Sequence, residues 1–338
     1  MSFDPTSVSR RDALRITAAV GIAAVAGGHT AMEIIRRAGL HRVSVSKARL
    51  GTLVEIDVVH PDRDGAHEMI RGAFAEIDRL ESILSRHRTD SALSMLNRAG
   101  EVIAPSHDLV TVLESALHIA RMTDGAFDPT VLPLLEVHAS SFSVSGRPPE
   151  PDVLRRTVQR VGHQNVVVSE ERVALMRPDM GVTLDGIGKG YVVDRTVQAL
   201  VRAGAERVLV DAGGDIASGG ERSKEDPWRI GLQHPRTARL VGVVDLAGRS
   251  VATSGDYMRS FTEDRSHHHI IDPRTGVSPE ETAGVSVVAE SAMEADALST
   301  AALVLGPEKA LLLLDGMAGV EGLLVTKDGE IHSTSGMP

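Results

Sequence analysis

The sequence predicts an α+β fold, in which helices and strands follow one another without strict alternation. Residues 43–59 alternate in polarity and carry many β-branched side chains, a pattern typical of strands. Residues 64–84 instead place apolar side chains at helical spacing. Between about residues 207 and 252, several strand-like segments succeed one another with no helix among them. This order favours α+β over a regular series of βαβ units.

Composition limits the range of functions. A chain of 338 residues, 42% hydrophobic and 24% charged, can form one large or two small globular domains. Its formal net charge of −10 disfavours nucleic acid as the main partner, because no positive field attracts phosphate backbones. The absence of cysteine excludes disulfides, thiolate zinc sites and thiol nucleophiles. Aromatic residues are scarce, so a bound flavin or base would rest mostly on aliphatic groups and backbone.

The first 42 residues predict an export signal and a linker. Arg10 and Arg11 precede an uncharged apolar stretch, residues 16–26, which is too short for the ~20 residues that a membrane-spanning helix needs. The paired arginines resemble the twin-arginine export pattern. The alternative is an amphipathic surface helix. We therefore expect an exported, periplasmic or otherwise extracytoplasmic protein, with no stable membrane span after signal removal and a folded domain at 43–338.

Within that domain, residues 43–59 predict a strand pair interrupted at Gly51–Thr52. Residues 64–84 and 107–122 predict two helices. The stretch 140–151 is rich in Ser, Gly and Pro and predicts a loop, followed by a short helix. Strands are expected near 165–168 and 172–176. A glycine-broken turn at 184–190 then leads into a helix that ends at about residue 202.

The C-terminal half begins with a predicted strand at 207–210 that runs into Gly213-Gly214-Asp215. Segments 228–232, 240–245 and 250–252 predict a meander. The chain then predicts a strand at 284–289, helices at 291–305 and 308–314, and a strand at 322–326.

The first candidate site lies on the helix at 291–305. Asp296, Ser299 and Thr300 are spaced i, i+3 and i+4, so they share one helix face. One carboxylate and two hydroxyls offer only oxygen, which suits a hard cation such as Mg²⁺. A capping or solvent-facing cluster is the alternative on spacing alone.

The second candidate is the glycine-rich turn at 184–190, where three glycines occur within five residues. Glycines allow the backbone to approach a phosphate closely, and the amides at the start of the next helix would point at it. Lys189 adds a positive charge. The spacing matches neither a Walker A loop nor a dinucleotide-binding fingerprint. A tight turn with an exposed lysine is the alternative.

The third candidate is the segment 266–276, which contains His267, His268 and His269 before a DPRTG turn. A histidine here could deliver an imidazole to a site. Three histidines could also bind a transition metal, although alternate side chains of an extended segment face opposite ways and at most two would converge. The glycine-aspartate turns at 124–130, 213–215 and 254–257 are compatible with plain turn chemistry.

Taken in order, these blocks resemble the ApbE-type FAD:protein FMN transferases from about Gly51 to the C-terminus. The resemblance rests on eight blocks: SRHRTDSALSMLN, DGAFDPT, LDGIGKGYVVD, AGGDI, WRIGLQHP, VATSGDYMRSF, HIIDPRTG and ADALSTAALVLGPEKA. It implies a single ApbE-like (T-fold-like) domain with mixed helices and an antiparallel sheet. It also implies Mg²⁺ as cofactor, FAD as substrate, and a partner protein whose threonine receives FMN.

The resemblance assigns roles to individual residues. It implies metal ligation by Asp296, Thr300 and the carbonyl of Gly186, with Ser299 as a helper. The residues expected to line the FAD site are Ala126, Phe127, Asp128, Asp185, Lys189 and His269. Two positions depart from the usual family pattern: Leu50 stands where many relatives have methionine, and Arg86-His87 where many have an aromatic. Leu50 and His87 are nevertheless expected to touch the nucleotide.

The implied reaction is a phosphoryl transfer in which the acceptor hydroxyl attacks the FMN phosphorus and AMP departs. His269 and Asp296 are the expected catalytic residues. The sequence leaves open whether His269 or a carboxylate near the metal is the base. Two alternatives remain at this stage: an FAD pyrophosphatase that releases free FMN and AMP, and a non-catalytic flavin-binding protein.

Overall fold

The computed structural model describes residues 39–220 and 226–337. Residues 1–38, which hold the expected export signal, lie outside them. The strands are β1 His41–Arg49, β2 Thr52–His60, β3 Glu101–Ile103, β4 Val166–Val168, β5 Arg172–Leu175, β6 Arg207–Ala212, β7 Asp215–Gly219, β8 Trp228–Gln233, β9 Leu240–Leu246, β10 Ser250–Gly255, β11 Thr282–Ala289, β12 Glu321–Thr326 and β13 Ile331–Ser333. The α-helices are α1 Arg63–Leu84, α2 Ala92–Ala99, α3 His107–Met122, α4 Leu132–Ser145, α5 Pro151–Val158, α6 Gly188–Arg202, α7 Ala292–Leu305 and α8 Pro307–Asp315.

An eight-stranded sheet organises the fold, in the order β1-β2-β6-β7-β10-β11-β12-β13. Each neighbouring pair in it is antiparallel. Two smaller sheets, β3-β5-β4 and β8-β9, accompany it. The predicted α+β class with an antiparallel sheet is confirmed.

The large sheet separates two hydrophobic cores because side chains alternate between its faces. Ile56 and Val210 face the helices and join the larger core with α1, α3, α6 and α7. Leu209 and Val251 face the other side, where the β8-β9 hairpin covers them with Trp228 and its neighbours. The molecule is therefore layered as helices, sheet and hairpin.

Helix α1 begins at an Asp62 cap, whose carboxylate accepts hydrogen bonds from the amides of Asp64 and Gly65 at 3.0 and 3.1 Å. Its buried residues recur at helical spacing and form one stripe: Ala66, Ile70, Ala73, Phe74, Ile77, Leu80 and Leu84. The predicted helix at 64–84 is confirmed to within one residue. The predicted helix at 107–122 has the bounds of α3.

Helices α6 and α7 pack against each other and on the sheet, α6 over β6 and β7 and α7 over β10 and β11. Each follows directly on a segment that the sequence singled out, the glycine-rich turn before α6 and the end of β11 before α7. The N-terminal ends of both helices, the start of β7 and the end of β10 therefore meet at one place.

Two expectations about the elements were wrong in part. The predicted loop at 140–151 shrinks to residues 146–150, because α4 continues to Ser145, ends at a left-handed Gly146, and α5 begins at Pro151. The serine-rich end of α4 stays helical because the Phe142 ring stacks on Phe261, 5.0 Å away. Tertiary packing thus overrides a weak local helix propensity.

The predicted meander was also wrong in its pairing. Strands β8 and β9 form their own sheet, whereas β10 lies between β7 and β11 in the large one. Helices α2 and α4 and strands β3, β7 and β13 were not predicted. In the part of the chain that the structure describes, no helix combines the length and apolar character needed to cross a membrane.

Candidate active site

The predicted polar face of α7 exists and points at the end of β10. The Ser254 hydroxyl lies 2.8 Å from the Ser299 hydroxyl and 3.1 Å from that of Thr300. The Ser299 hydroxyl also donates to the backbone carbonyl of Asp296 at 2.9 Å. Asp296 and Ser299 are only 4% and 0% exposed, so the solvent-facing alternative is wrong.

The glycine-rich turn contacts this face directly. A Cβ placed on Gly186 would lie 3.1 Å from the Thr300 hydroxyl and 3.3 Å from the Phe127 ring. The backbone at Gly186 can approach α7 this closely because glycine has no side chain. Gly186, Thr300 and Phe127 therefore come together as the sequence predicted.

The start of α6 is fixed against the start of α7 by two contacts. The Gly190 amide donates to the Asp296 carboxylate at 3.1 Å, and a Cβ on Gly190 would collide with the Ala292 carbonyl. One turn later, the Asp194 carboxylate accepts hydrogen bonds from the amides of Ala292 and Met293 at 2.8 and 2.9 Å. Asp194 thus caps α7 from the neighbouring helix and holds its polar face against the glycine turn.

Lys189 points inward and forms an ion pair with Asp215 at the start of β7. Burial disfavours its ammonium charge, but the attraction of Asp215 and Asp296 outweighs burial and raises the pKa of Lys189. The alternative of a tight turn with an exposed lysine is wrong. A fixed ammonium group lies within the site.

Two carboxylates share this buried space. Burial and the neighbouring charge of Asp215 raise the pKa of Asp296 well above its ordinary value. Asp215 hydrogen-bonds Asp296, and burial raises its pKa too, although Lys189 opposes the shift. Two buried carboxylates repel each other, so the pair is stabilised either by a proton that one of them retains or by a cation bound between their oxygens.

The donors around Asp296 fit a hard cation. They are a carboxylate, the Ser299 and Thr300 hydroxyls and the Gly186 turn, which together offer oxygen alone. Among the described residues, no group of three or more His, Cys, Asp or Glu side chains has the arrangement of a metal site. This includes the three consecutive histidines, so a transition-metal site at 267–269 finds no support in these residues.

His269 is held by the backbone carbonyl of Arg259. Its amide and its ring Nδ1 both lie against the Arg259 carbonyl, at 2.9 and 3.1 Å. Because a carbonyl only accepts, Nδ1 carries the hydrogen and Nε2 keeps its lone pair. Burial, aided by the charge of Arg259, lowers the pKa of His269 to about 4, and Asp185 and Lys189 act on the same ring. The imidazole is therefore neutral at pH 7 and belongs to the site.

The two positions that depart from the family pattern lie around the end of α1. Arg86 pairs with Asp185 at 2.7 Å, which ties the chain after α1 to the glycine turn. His87 lies beside this pair and remains largely exposed. Its pKa is lowered, first by partial loss of contact with water and then by the charge of Arg86. Leu50 occupies the β1-β2 turn with a positive φ of 55°, and its backbone hydrogen-bonds Glu81.

The residues of the segment 126–128 make different kinds of contact. Ala126 and Phe127 are buried in the larger core, and Phe127 reaches Gly186. The Asp128 carboxylate is fully engaged by protein groups: Oδ1 accepts from the amide and hydroxyl of Thr130, and Oδ2 from the amide of His163 with its ring Nδ1 at 2.9 Å. Asp128 therefore fixes the loop that presents Phe127, and its expected contact with FAD stays a prediction.

A family model described as the ApbE family matches residues 50–324. The chain belongs to the ApbE family. Relatives named FAD:protein FMN transferase include a protein from Salmonella typhimurium, 32% identical over 299 residues and covering 84% of each chain. Another, from Treponema pallidum, is 32% identical over 327 residues and covers 89% of each chain.

Solved ApbE structures share the fold. The ApbE protein of Thermotoga maritima superposes with a TM-score of 0.79 at 30% identity, over 87% of this chain and 97% of that one. The apo form of the flavinyl transferase ApbE from Pseudomonas stutzeri gives a TM-score of 0.77 at 27% identity, over 88% and 95% of the two chains. The expectation of a single ApbE-like domain is confirmed.

In this ApbE family member, the sequence located the polar face of α7, the glycine turn and Lys189 but missed the residues that contact them. Asp215, Ser254 and Asp194 were quoted within motifs and given no role. Each is polar and stands beside glycines or at the end of a motif, which was the available signal. Their partners lie 26 to 99 positions away in the chain, so local spacing could not reveal them.

Proposed function

We propose that this protein transfers the FMN half of FAD to a threonine hydroxyl of an acceptor protein, releases AMP, and requires Mg²⁺. The observation that carries the proposal is the buried oxygen face of α7 against Gly186, with the Lys189 ammonium beside it. The relatives named FAD:protein FMN transferase support the same activity.

The residues that would hold Mg²⁺ are Asp296, Thr300 and the carbonyl of Gly186, with Ser299 as a helper. The ion would neutralise pyrophosphate charge and stabilise the departing phosphate. Asp194 and Gly190 support this arrangement by fixing the two helix ends to each other.

The remaining groups bind and orient the substrate. Lys189, steadied by Asp215, presents a positive charge to the phosphates, and the amides at the start of α6 add donors. The acceptor oxygen forms a bond to the FMN phosphorus while the bond from that phosphorus to the bridging oxygen breaks. AMP leaves with the bridging oxygen, and the hydroxyl proton goes to a base.

We assign that base to His269. Its Nε2 keeps a lone pair because Nδ1 faces the Arg259 carbonyl, and its lowered pKa keeps the ring uncharged at neutral pH. A carboxylate near the metal would already be committed to the cation. The ring therefore accepts the hydroxyl proton as the new phosphoester forms.

An assay with and without an acceptor protein distinguishes FMN transfer from FAD hydrolysis. The protein is incubated with FAD and Mg²⁺, with and without a candidate acceptor, while AMP and intact masses are followed. We expect slow AMP release without acceptor and faster release with it, because a transferase reserves the in-line position for the acceptor hydroxyl. The acceptor should gain the mass of FMN minus one water, and its Thr→Ala variant should not. Equal AMP release in both cases, with no mass gain, would identify an FAD pyrophosphatase.

We also propose that the protein is exported through its paired arginines. Changing Arg10 and Arg11 together to lysine keeps the charge and removes the guanidinium groups that a twin-arginine receptor would bind. The variant should remain in the cytoplasm. Unchanged export would show that the segment is a general secretory signal or no signal at all.

A further inference from the structure

A buried ion pair lies on the far side of the sheet from the helices. Arg236, in the turn between β8 and β9, donates two hydrogen bonds to the Asp256 carboxylate, at 2.7 and 2.6 Å. Asp256 is completely buried, whereas Arg236 retains partial exposure. A bidentate arginine–carboxylate pair fixes both distance and orientation.

Asp256 is the first residue of the site loop, residues 256–269, which leaves the end of β10. Three residues later, the Arg259 carbonyl receives the amide and ring Nδ1 of His269. Ser260 and His268, the next residue pair, form an isolated antiparallel bridge. Through its contact with Arg259, the position of His269 depends on the course of the loop that begins at Asp256.

Other attachments lie on both sides of this bridge: the Asp256 amide donates to the Ala283 carbonyl at 3.1 Å, and the His268 amide donates to the Ser278 hydroxyl at 3.0 Å. Phe261 stacks on Phe142 of α4, and its amide donates to the His267 carbonyl at 2.8 Å. These contacts hold the outer half of the loop. Arg236–Asp256 is the charged attachment on the inner half, between β10 and the Arg259–His269 contact.

Stability alone is a weak reason for such a pair, because desolvation offsets most of the attraction between buried charges. The pair instead fixes the position of Asp256 relative to Arg236, because breaking the bidentate contact would leave Asp256 buried without its partner. The consequence for the reaction follows from what the site loop carries.

We propose that Arg236 is a positioning residue of the active site: through Asp256 it sets the site loop so that Arg259 holds the His269 ring. The proposal rests on the proposed function for its kinetic consequence. Its structural consequence, the state of the His269 ring, does not depend on activity.

The test uses Arg236→Lys, which retains the charge and loses the bidentate geometry. The matched control is Arg229→Ala in the same hairpin, where Arg229 and Asp245 form an exposed pair at 3.5 Å. Circular dichroism and thermal unfolding first establish that both variants are folded at the assay temperature. Asp256→Asn provides a second way to remove the contact.

The first readout is the ¹⁵N NMR signal of the His269 ring, assigned by its loss in His269→Ala. Arg236→Lys and Asp256→Asn should shift this signal or split it between tautomers, and Arg229→Ala should leave it unchanged. An unmoved ring signal in folded Arg236→Lys protein overturns the proposal, whatever reaction the enzyme catalyses.

The second readout is a double-mutant cycle on AMP release and FAD affinity. Arg236→Lys should lower kcat/KM for FAD by roughly 10-fold or more, the usual range for a residue that orients a functional side chain. In a His269→Ala background, the same change should cost less than about twofold, because its effect passes through His269. Equal losses in both backgrounds would show a merely structural role and overturn the proposal. Absence of AMP release from the wild type would refute the proposed function, while the ring signal would still decide the role of Arg236.

Discussion

Helices α1 and α7 are both predicted from the sequence, yet they bury their side chains in opposite ways. Helix α1 buries one apolar stripe and leaves its other side charged and exposed. Helix α7 is buried on every side, since residues 295–299 and 301–304 are all buried. A polar side chain on α1 costs little because water reaches it. Asp296 and Ser299 on α7 are shielded from water, so their polar groups need partners within the protein.

The difference shows how a site can be recognised within a core. Buried polar groups are costly unless they are paired. On α7 the hydroxyls pair with Ser254, and Asp296 accepts one amide hydrogen bond and contacts a second carboxyl group. A contact between two buried acids is consistent with the cation site proposed above. We therefore propose a chemical role for the polar face of α7, whereas the polar side of α1 only faces water.

The largest expected effect comes from Asp296→Asn. Losing a metal ligand should reduce AMP release by more than the roughly 10- to 100-fold that loss of an outer-shell partner costs. The metal-free variant should be at least as stable as the wild type, because asparagine buries no charge. Glu68→Gln, on the exposed side of α1, is the control and should alter neither activity nor the free energy of unfolding. Near-normal turnover of Asp296→Asn with an ordinary Mg²⁺ response would refute the assignment.

A pair of glycine substitutions tests the packing of the two helices. Gly190→Ala places a methyl group against the Ala292 carbonyl, so it should destabilise the protein by about 1–3 kcal/mol and impair activity by separating α6 from α7. Gly72→Ala in α1 meets no atom within 4 Å and should stabilise by about 0.5–1 kcal/mol. Chemical denaturation measures both. Equal effects of the two changes would mean that the helix ends do not pack as described.

A further prediction concerns the pH dependence of stability and His268, whose side chain is fully buried within the site loop. Burial lowers its pKa to about 4, with the charge of Lys327 as a smaller contribution. Because the unfolded chain takes up this proton near pH 6.5, the contribution of neutral His268 is complete above that pH and lost as pH falls towards 4. The slope is at most about 1.4 kcal/mol per pH unit. His268→Gln should flatten the measured dependence of unfolding free energy on pH between 6.5 and 4; an unchanged slope would contradict the burial argument.

Local periodicity predicted much of this molecule. The bounds of α3 and the shared face of Asp296, Ser299 and Thr300 follow from helical spacing alone. Pairings across long separations did not follow: β10 lies between β7 and β11, and Ser254 reaches α7 from 45 positions away. The prediction of a loop at the serine-rich end of α4 was wrong for a related reason. Phe142 in this helix stacks on Phe261 of the site loop, which lies far away in the sequence. Such contacts depend on how the layers pack, which spacing along one element does not encode.

The central claim, that α7 and the glycine turn carry out a Mg²⁺-dependent transfer of FMN, is tested most directly by the mass of the acceptor. Wild-type protein, FAD and a threonine-bearing acceptor are combined after exhaustive treatment with EDTA, and again after Mg²⁺ or Zn²⁺ is returned in excess of the chelator. The account predicts no mass gain in chelator, full gain of FMN minus one water with Mg²⁺, and little gain with Zn²⁺, because the donors are oxygen alone. Undiminished flavinylation in excess EDTA would contradict it.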